Sequence, residues 1–245
     1  MPLARDCNRL LATIPEADQA RIASGLEEVT LATGQVLFKA DSIPKHVHFP
    51  HAGTLISLGL PLDEDGFAEV ATVGMEGAAG LALDATDPGM EPLGRGMVQV
   101  PGAAARLPRA QLVEAVSDSP ALRRLLARYA EAAVSVAMHT AVCNARHPLR
   151  ARLATWLLAA LDRAPSGSMV LPQTQEFLAE MLGMHRASVN AAALALQADG
   201  LIRIGRGRVL ILDRLALEKV ACGCRDATRR RWARLLPGMP EEVEG

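Results

Sequence analysis

Gln173-Thr174-Gln175-Glu176-Phe177-Leu178-Ala179-Glu180-Met181-Leu182-Gly183-Met184-His185-Arg186-Ala187-Ser188-Val189-Asn190 is the most informative stretch of this 245-residue chain. Thr174 is of a type that caps helices, its oxygen accepting a backbone N–H of the first turn. Leu178 and Leu182 lie one turn apart, so they share a face that points inward. Ala179 is small where a second helix crosses closely, Gly183 permits the positive φ of a tight turn, and Met184 and Val189 plug the angle between two helices. The second helix is expected from about 186 to 198, with Asp199-Gly200 supplying a left-handed stop. Small, turn and apolar residues fall where a helix-turn-helix needs them.

Downstream, Leu201-Ile202-Arg203-Ile204, Gly205-Arg206-Gly207 and Arg208-Val209-Leu210-Ile211-Leu212 read as two strands around a Gly-rich turn. That is a wing whose Arg203, Arg206 and Arg208 can pair with DNA phosphates, adding affinity without sequence information. The plainer alternative is two core helices and a hairpin whose arginines solubilise a face. Upstream, Leu149 to about Arg163 is an amphipathic helix with Leu153, Trp156, Leu157, Ala160 and Leu161 inward, followed by the loop Pro165-Ser166-Gly167-Ser168.

From Asp118 to about Asn144 there is no Pro after Pro120 and no Gly. Leu122, Leu126, Tyr129, Ala133, Val136, Thr140 and Cys143 alternate steps of four and three, the seam of a two-stranded coiled coil. A helix packed on its own domain needs a wider stripe, and Leu125 and Ala132 supply part of one. Asn144-Ala145-Arg146-His147-Pro148 ends the helix, because Pro148 disfavours helical geometry in the residue before it; this is the expected hinge.

The first 117 residues are punctuated by Gly and Pro between short apolar runs: Val29-Thr30-Leu31, Val36-Leu37-Phe38, Thr54-Leu55-Ile56-Ser57-Leu58 and Val70-Ala71-Thr72-Val73. Short strands at regular spacing indicate a barrel or jelly roll, with a helix before it around 18–25 and another after Pro108. The expected organisation is α+β: a jelly-roll sensor at 1–117, a dimerisation helix and hinge at 118–147, and a winged helix-turn-helix at 148–245.

Bulk numbers agree with this. Half the residues are hydrophobic and 22% charged, a globular composition, and with only 3% aromatics the cores must be built from Ala, Leu, Val and Met. No apolar run approaches a membrane span, and Met1-Pro2-Leu3-Ala4-Arg5-Asp6 opens no signal peptide, so a cytoplasmic location is expected. The net charge of −1 divides unevenly: residues 1–117 carry 8 Lys/Arg and 15 Asp/Glu, a net of −7, while 118–245 carry 18 and 12, a net of +6. A basic half beside an acidic half points to a nucleic-acid module joined to one that does not touch nucleic acid.

The whole arrangement resembles the Crp/Fnr family of transcription regulators. The stretches Phe49-Pro50…Gly53…Ser57-Leu58, Arg152-Leu153…Trp156-Leu157-Leu158, Phe177-Leu178-Ala179…Met181-Leu182-Gly183 and Cys222-Gly223-Cys224 look like one branch of it. The resemblance implies a homodimer on double-stranded DNA, a near-palindromic operator, gating by an unidentified small effector, RNA polymerase as a further partner, and no enzymatic activity. Thr174, His185, Arg186, Ser188 and Asn190 are the expected DNA contacts of the helices. Arg186 matches the family's guanine-reading arginine, which makes a bidentate contact to O6 and N7, and Asn190 can read adenine. A later acidic reader and a later arginine are replaced by Ala187 and Ala191, so the family's usual operator is not implied. The effector cassette maps to Gly77-Ala78-Ala79-Gly80-Leu81, with Arg95 the only cation nearby. Ala78 cannot accept a ribose hydroxyl and no Arg-Ser pair follows, which argues against cyclic AMP. A cluster-based oxygen sensor needs several N-terminal cysteines, and only Cys7 is present.

Two other constellations compete. His46-Val47-His48 resembles the start of a cupin metal site, giving a jelly-roll metalloenzyme as the alternative, but the Glu and second histidine motif are missing, and His139 and His147 fall on or beside the long helix. A ligand-binding dimer without DNA function is the other alternative. Cys222 and Cys224 are too close for a relaxed mutual disulfide; either they join Cys143 or Cys7 as a metal or thiol sensor, or they are plain thiols near a C-terminal helix. Arg229-Arg230-Arg231 either touches DNA backbone or forms a solvated helix face. No metal or cofactor is expected.

Overall fold

The computed structural model describes residues 8–40, 42–61, 67–82, 84–92, 94–165 and 167–235. Cys7, weighed above as a thiol ligand, lies outside them. Two short helices, α1 (Arg9–Ala12) and α2 (Glu16–Ala23), lead into seven strands: β1 (Glu27–Leu31), β2 (Val36–Phe38), β3 (His46–Pro50), β4 (Leu55–Pro61), β5 (Phe67–Val73), β6 (Arg95–Val100) and β7 (Gly102–Pro108). They form two antiparallel sheets, ordered β1-β7-β3 and β2-β6-β4-β5. Among the described residues the sheets are not closed on each other by strand pairing, so the expected barrel is an open pair of sheets, as a jelly roll can be. Alternation places Leu31, Phe38, Ile56, Val73, Val98 and Ala104 in a common core, as a half-buried antiparallel sheet requires. The strands β6 and β7 carry no strong sequence signal. Ala103-Ala104-Ala105 has little β-propensity, yet β7 is the central strand of its sheet.

Next come α3 (Arg109–Asp118) and the long α4 (Pro120–Arg146). The α4 helix starts where Ser119 accepts the Leu122 N–H at 3.1 Å, with Pro120 in the first turn, where a missing N–H costs nothing. It stops at His147, whose backbone is extended (φ −103°, ψ 143°) ahead of Pro148.

The C-terminal part comprises α5 (Leu149–Leu161), β8 (Val170–Leu171), α6 (Gln175–Leu182), α7 (Arg186–Ala198), β9 (Ile202–Gly205), β10 (Arg208–Ile211), α8 (Arg214–Val220) and α9 (Cys224–Leu235). Its core of Leu153, Leu157, Leu178, Leu182, Val189, Leu196, Val209 and Leu217 also takes in Leu55 and Val100 of the sheets. The two halves are tied further by Arg163 to Glu76 at 2.8 Å, by the Gly53 N–H to the Arg163 carbonyl at 2.7 Å, and by α9, which folds back along α4 with the Trp232 ring tilted against Tyr129 (centroids 5.7 Å, 36° between planes). The described residues from 148 to 235 are therefore not self-contained.

Candidate nucleic-acid interface

Local chemistry sets the angle between α6 and α7. The Thr174 side chain accepts the Phe177 N–H at 3.1 Å and opens α6. Gly183 ends it in the left-handed region (φ 59°, ψ 40°), with the Met184 N–H returning to the Ala179 carbonyl at 3.0 Å. A Cβ on Gly183 would meet nothing within 4 Å, so backbone conformation, rather than room, demands glycine here. Leu178, Ala179, Leu182 and Val189 are buried at the crossing. Met184 departs from expectation: at 38% exposure it does not plug the angle, because the turn that reverses the chain carries its side chain outward.

On α7, Arg186, Ala187, Ala191 and Leu194 are exposed while Val189, Ala193 and Leu196 are buried. One helical face is thus anchored and the other presented. His185 is exposed just before it, and Ser188 and Asn190 are half-buried on its first turns. In the wing, Arg203 pairs with Leu210 and Arg208 with Gly205, so both arginines lie on one face of the hairpin. The opposite face sends Ile202, Val209 and Ile211 into the core. Arg206 and Gly207 (φ 70°) make the turn. Among the described residues none of Arg186, Arg203, Arg206 and Arg208 forms an ion pair. By contrast Asp162 and Glu218 are taken up by Arg214 and Arg225 (Asp162 to Arg225 at 2.5 Å). Arg186 and Thr174 line one cleft with Gly205 and Gly207 of the wing, and exposed, unpaired guanidiniums around it suit a phosphate-bearing partner. Arg231 of the triple-arginine run instead pairs with Glu131 of α4 at 2.7 Å.

The effector residues expected at 77–78 are closed off. Ala78 is buried, its N–H donates to the Tyr129 hydroxyl, and that hydroxyl donates to the Ala78 carbonyl, both at 2.9 Å. A Cβ at Gly77 would lie 2.6 Å from the same hydroxyl. The cradle is filled by the long helix. A cavity of about 860 Å³ lies instead between β5, α4, α5 and α9, and none of Gly77, Ala78 and Arg95 lines it. Its wall includes Glu69, Glu76, Arg152, Trp156 and Arg163. Burial pushes the Glu69 carboxyl up from its ordinary range, against hydrogen bonds from Ser57 (2.6 Å) and Thr72 (2.5 Å).

The expected dimer seam is corrected as well. Leu122, Leu126 and Tyr129 are sealed in their own subunit's core with Leu112 and Val116, and Ala133, Val136 and Thr140 continue that inward side half-buried. The spacing is coiled-coil-like, but α3, the sheets and α9 already cover it. Of the cupin alternative, His46 and His48 do meet edge to face (centroids 6.3 Å), but among the described residues no third His, Cys, Asp or Glu joins them at ligand distance. His51 binds Glu28 at 2.7 Å, and burial, with His46 and Arg106 nearby, lowers His48 to about 4. Among the described residues the one cluster with metal-ligand geometry is elsewhere.

Residues 151–220 match the Crp-like helix-turn-helix domain family. No curated protein matches the chain. Among solved structures the chain is similar to FixK2 from Bradyrhizobium japonicum, with a TM-score of 0.67 at 18% identity over 80% of this chain and 98% of that one. A CRP/FNR-family transcriptional regulator from Thermus thermophilus gives 0.62 at 24% identity over 80% and 98%. The c-di-GMP-responsive global regulator CLP from Xanthomonas campestris gives 0.63 at 15% identity over 81% and 100%.

Proposed function

We propose that the chain is a Crp/Fnr-type DNA-binding regulator that works as a homodimer on a near-palindromic operator, a reading supported by its match to the Crp-like helix-turn-helix domain over 151–220 and by its fold. The observation that carries this reading is the single exposed surface on which Arg186 and the wing arginines stand without acidic partners. Arg186 is the guanine reader, Asn190 the adenine reader, Ser188 and His185 flank them, and Thr174 with Arg203, Arg206 and Arg208 takes phosphates. Two such heads, one per subunit, enter successive major grooves about one helical turn apart.

The seam of the homodimer is the outward side of α4. Ala127, Val134, Met138, Ala141 and Ala145 are exposed there at steps of seven, four, three and four, with Val142 beside them. Heptad spacing of small and apolar residues in solvent fits a second copy of the same helix. In this reading 1–117 senses, 118–147 couples and 148–245 reads DNA. An effector of unidentified structure has room in the cavity between the halves rather than at 77–78, and bound there it would bias how they dock. We assign the protein to the cytoplasm, with RNA polymerase as a further partner and no catalysis. No helix among the described residues is long and apolar enough to cross a membrane.

Selection of bound duplexes from a random pool, with and without nucleotide ligands, gives the operator. Arg186→Ala should then weaken the selected duplex by about 1–3 kcal/mol while leaving random DNA nearly unchanged. An unaltered specific-to-random ratio removes Arg186 as a base reader. Absence of salt-dependent duplex affinity in the parent chain removes the DNA function itself.

A further inference from the structure

We propose that Cys143, His147, Cys222 and Cys224 form a tetrahedral site for a thiophilic divalent cation, zinc in the first place, clamped across the hinge. One donor atom from each of the four lies within 4.8 Å of all the others. Cys143 Sγ is 3.5 Å from Cys222 Sγ, and Cys224 Sγ is 3.5 Å from His147 Nδ1. Zinc–sulfur and zinc–nitrogen bonds of about 2.3 and 2.0–2.1 Å give a tetrahedron with edges of about 3.6–3.8 Å. The Cys143–Cys222 and Cys224–His147 separations need to open by only about 0.1–0.3 Å to match, and the remaining donor pairs, all within 4.8 Å, to close by no more than about 1.2 Å.

The ligands come from two segments, about 75 residues apart in sequence, that the fold must bring together. Cys143 lies on the last turn of α4 and His147 one turn later, the helix being held to that point by the His147 N–H on the Cys143 carbonyl at 3.0 Å. Cys222 lies in the short link after α8, and Cys224, one residue past Gly223, opens α9. Arg225 pins this link to Asp162 through two bonds of 2.5 and 2.7 Å. An outer contact is in place too. Thr155 Oγ1 accepts the Cys222 N–H at 2.9 Å, which leaves the hydroxyl proton for Cys222 Sγ at 3.1 Å. Such partners orient a thiolate and tune its basicity.

Three sulfurs and one imidazole form a soft set that favours zinc over magnesium or calcium. Four protein donors also leave no open position, as in a structural rather than a catalytic site. Binding releases one proton from each of three thiols and uses a neutral imidazole, so the three thiolates and the dication sum to a charge of −1. Cys143 and Cys224 line the cavity between the two halves, which provides a way in. A cation here ties the end of the coupling helix to the segment after the reading head, and so fixes the hinge. The site stands on its ligands alone and does not depend on the DNA reading.

The test uses the full-length chain, purified under reducing conditions with zinc and then desalted. About one zinc per chain should remain, and cobalt(II) in its place should give the intense visible bands of tetrahedral thiolate coordination. The double variant Cys222→Ser/Cys224→Ser should lose both signals. Thr155→Val, which keeps every ligand, should weaken zinc in a chelator competition by about 10–100-fold. A reduced parent chain that holds no zinc and gives no tetrahedral cobalt spectrum overturns the proposal, whatever the variants do. So does a Cys143–Cys222 disulfide as the form that resists zinc, or a stoichiometry unchanged in the double variant.

Discussion

On the inner side of α4, Leu122, Leu126 and Tyr129 are packed among Leu112, Val116 and Trp232 of their own chain; on the outer side Val134, Met138 and Val142 stand in solvent, Met138 with 66% of its surface exposed. Both sides repeat about once per helical turn, the inner residues in steps of four and three, the outer in steps of four. Such a spacing says that residues share a face, not which body covers it. What distinguishes the sides is polar chemistry. Tyr129 reaches in to satisfy both backbone groups of Ala78, a fixed contact that commits this side to the subunit's own loop. The outer side offers side chains able to pair with themselves across a two-fold axis.

Substitutions can break this contrast, taken in order of their effect on the folding of the subunit. Leu126→Ala leaves a void in the inner core and should cost about 2–5 kcal/mol in denaturant titration without altering the oligomeric state. Acid acts on the same region through His48. Its backbone N–H donates to the Ala79 carbonyl at 2.9 Å, beneath the loop that Tyr129 holds, while its ring is buried. Its folded value of about 4 lies below the ordinary 6.5, so between these the unfolded chain binds more protons. Stability should then be full above pH 6.5 and decline, by up to about 3 kcal/mol, as pH falls to 4. His48→Gln should flatten that part of the profile; a slope that survives means another group is responsible. Tyr129→Phe keeps the ring packed against Trp232 and removes only the hydroxyl. It should cost about 1–3 kcal/mol, the penalty of unpartnered buried groups at Ala78, and an effect within about 0.5 kcal/mol would mean the loop rearranges freely.

These same elements show what sequence could and could not reveal. The helix-turn-helix is legible because its determinants are local: Thr174 caps, Gly183 turns, and Leu178 and Val189 are close in the chain. The inner side of α4 is not, because its cover comes from α3 and from a C-terminal helix about a hundred residues away. The Gly77–Ala78 cradle could be located by resemblance, but nothing in its residues discloses that Tyr129 fills it. The cysteine pair was visible as Cys222-Gly223-Cys224; its partners were not. Cys143 and His147 form a spacing common on any helix end, and only the return of α9 along α4 closes the set. Met184 was misplaced for a smaller reason, since a turn residue's direction depends on the dihedrals of the turn itself.

The outer side of α4 gives the smallest change in the subunit and the sharpest one in assembly. Met138→Glu puts a carboxylate at a site that is solvated in the single chain, so the isolated subunit should fold within about 0.5 kcal/mol of the parent. Across a symmetric seam the same carboxylate meets its own copy, and two like charges with no cation between them oppose closure. Sedimentation should therefore show a parent dimer and a variant monomer. The parent's thermal midpoint should rise with protein concentration, because association stabilises only the folded state, while the variant's should not move. Met138→Leu, which keeps the apolar character, should behave as the parent. If the parent is itself monomeric at all concentrations, or if Met138→Glu remains a dimer, then the outer residues are not the seam and the two sides of α4 differ only in burial.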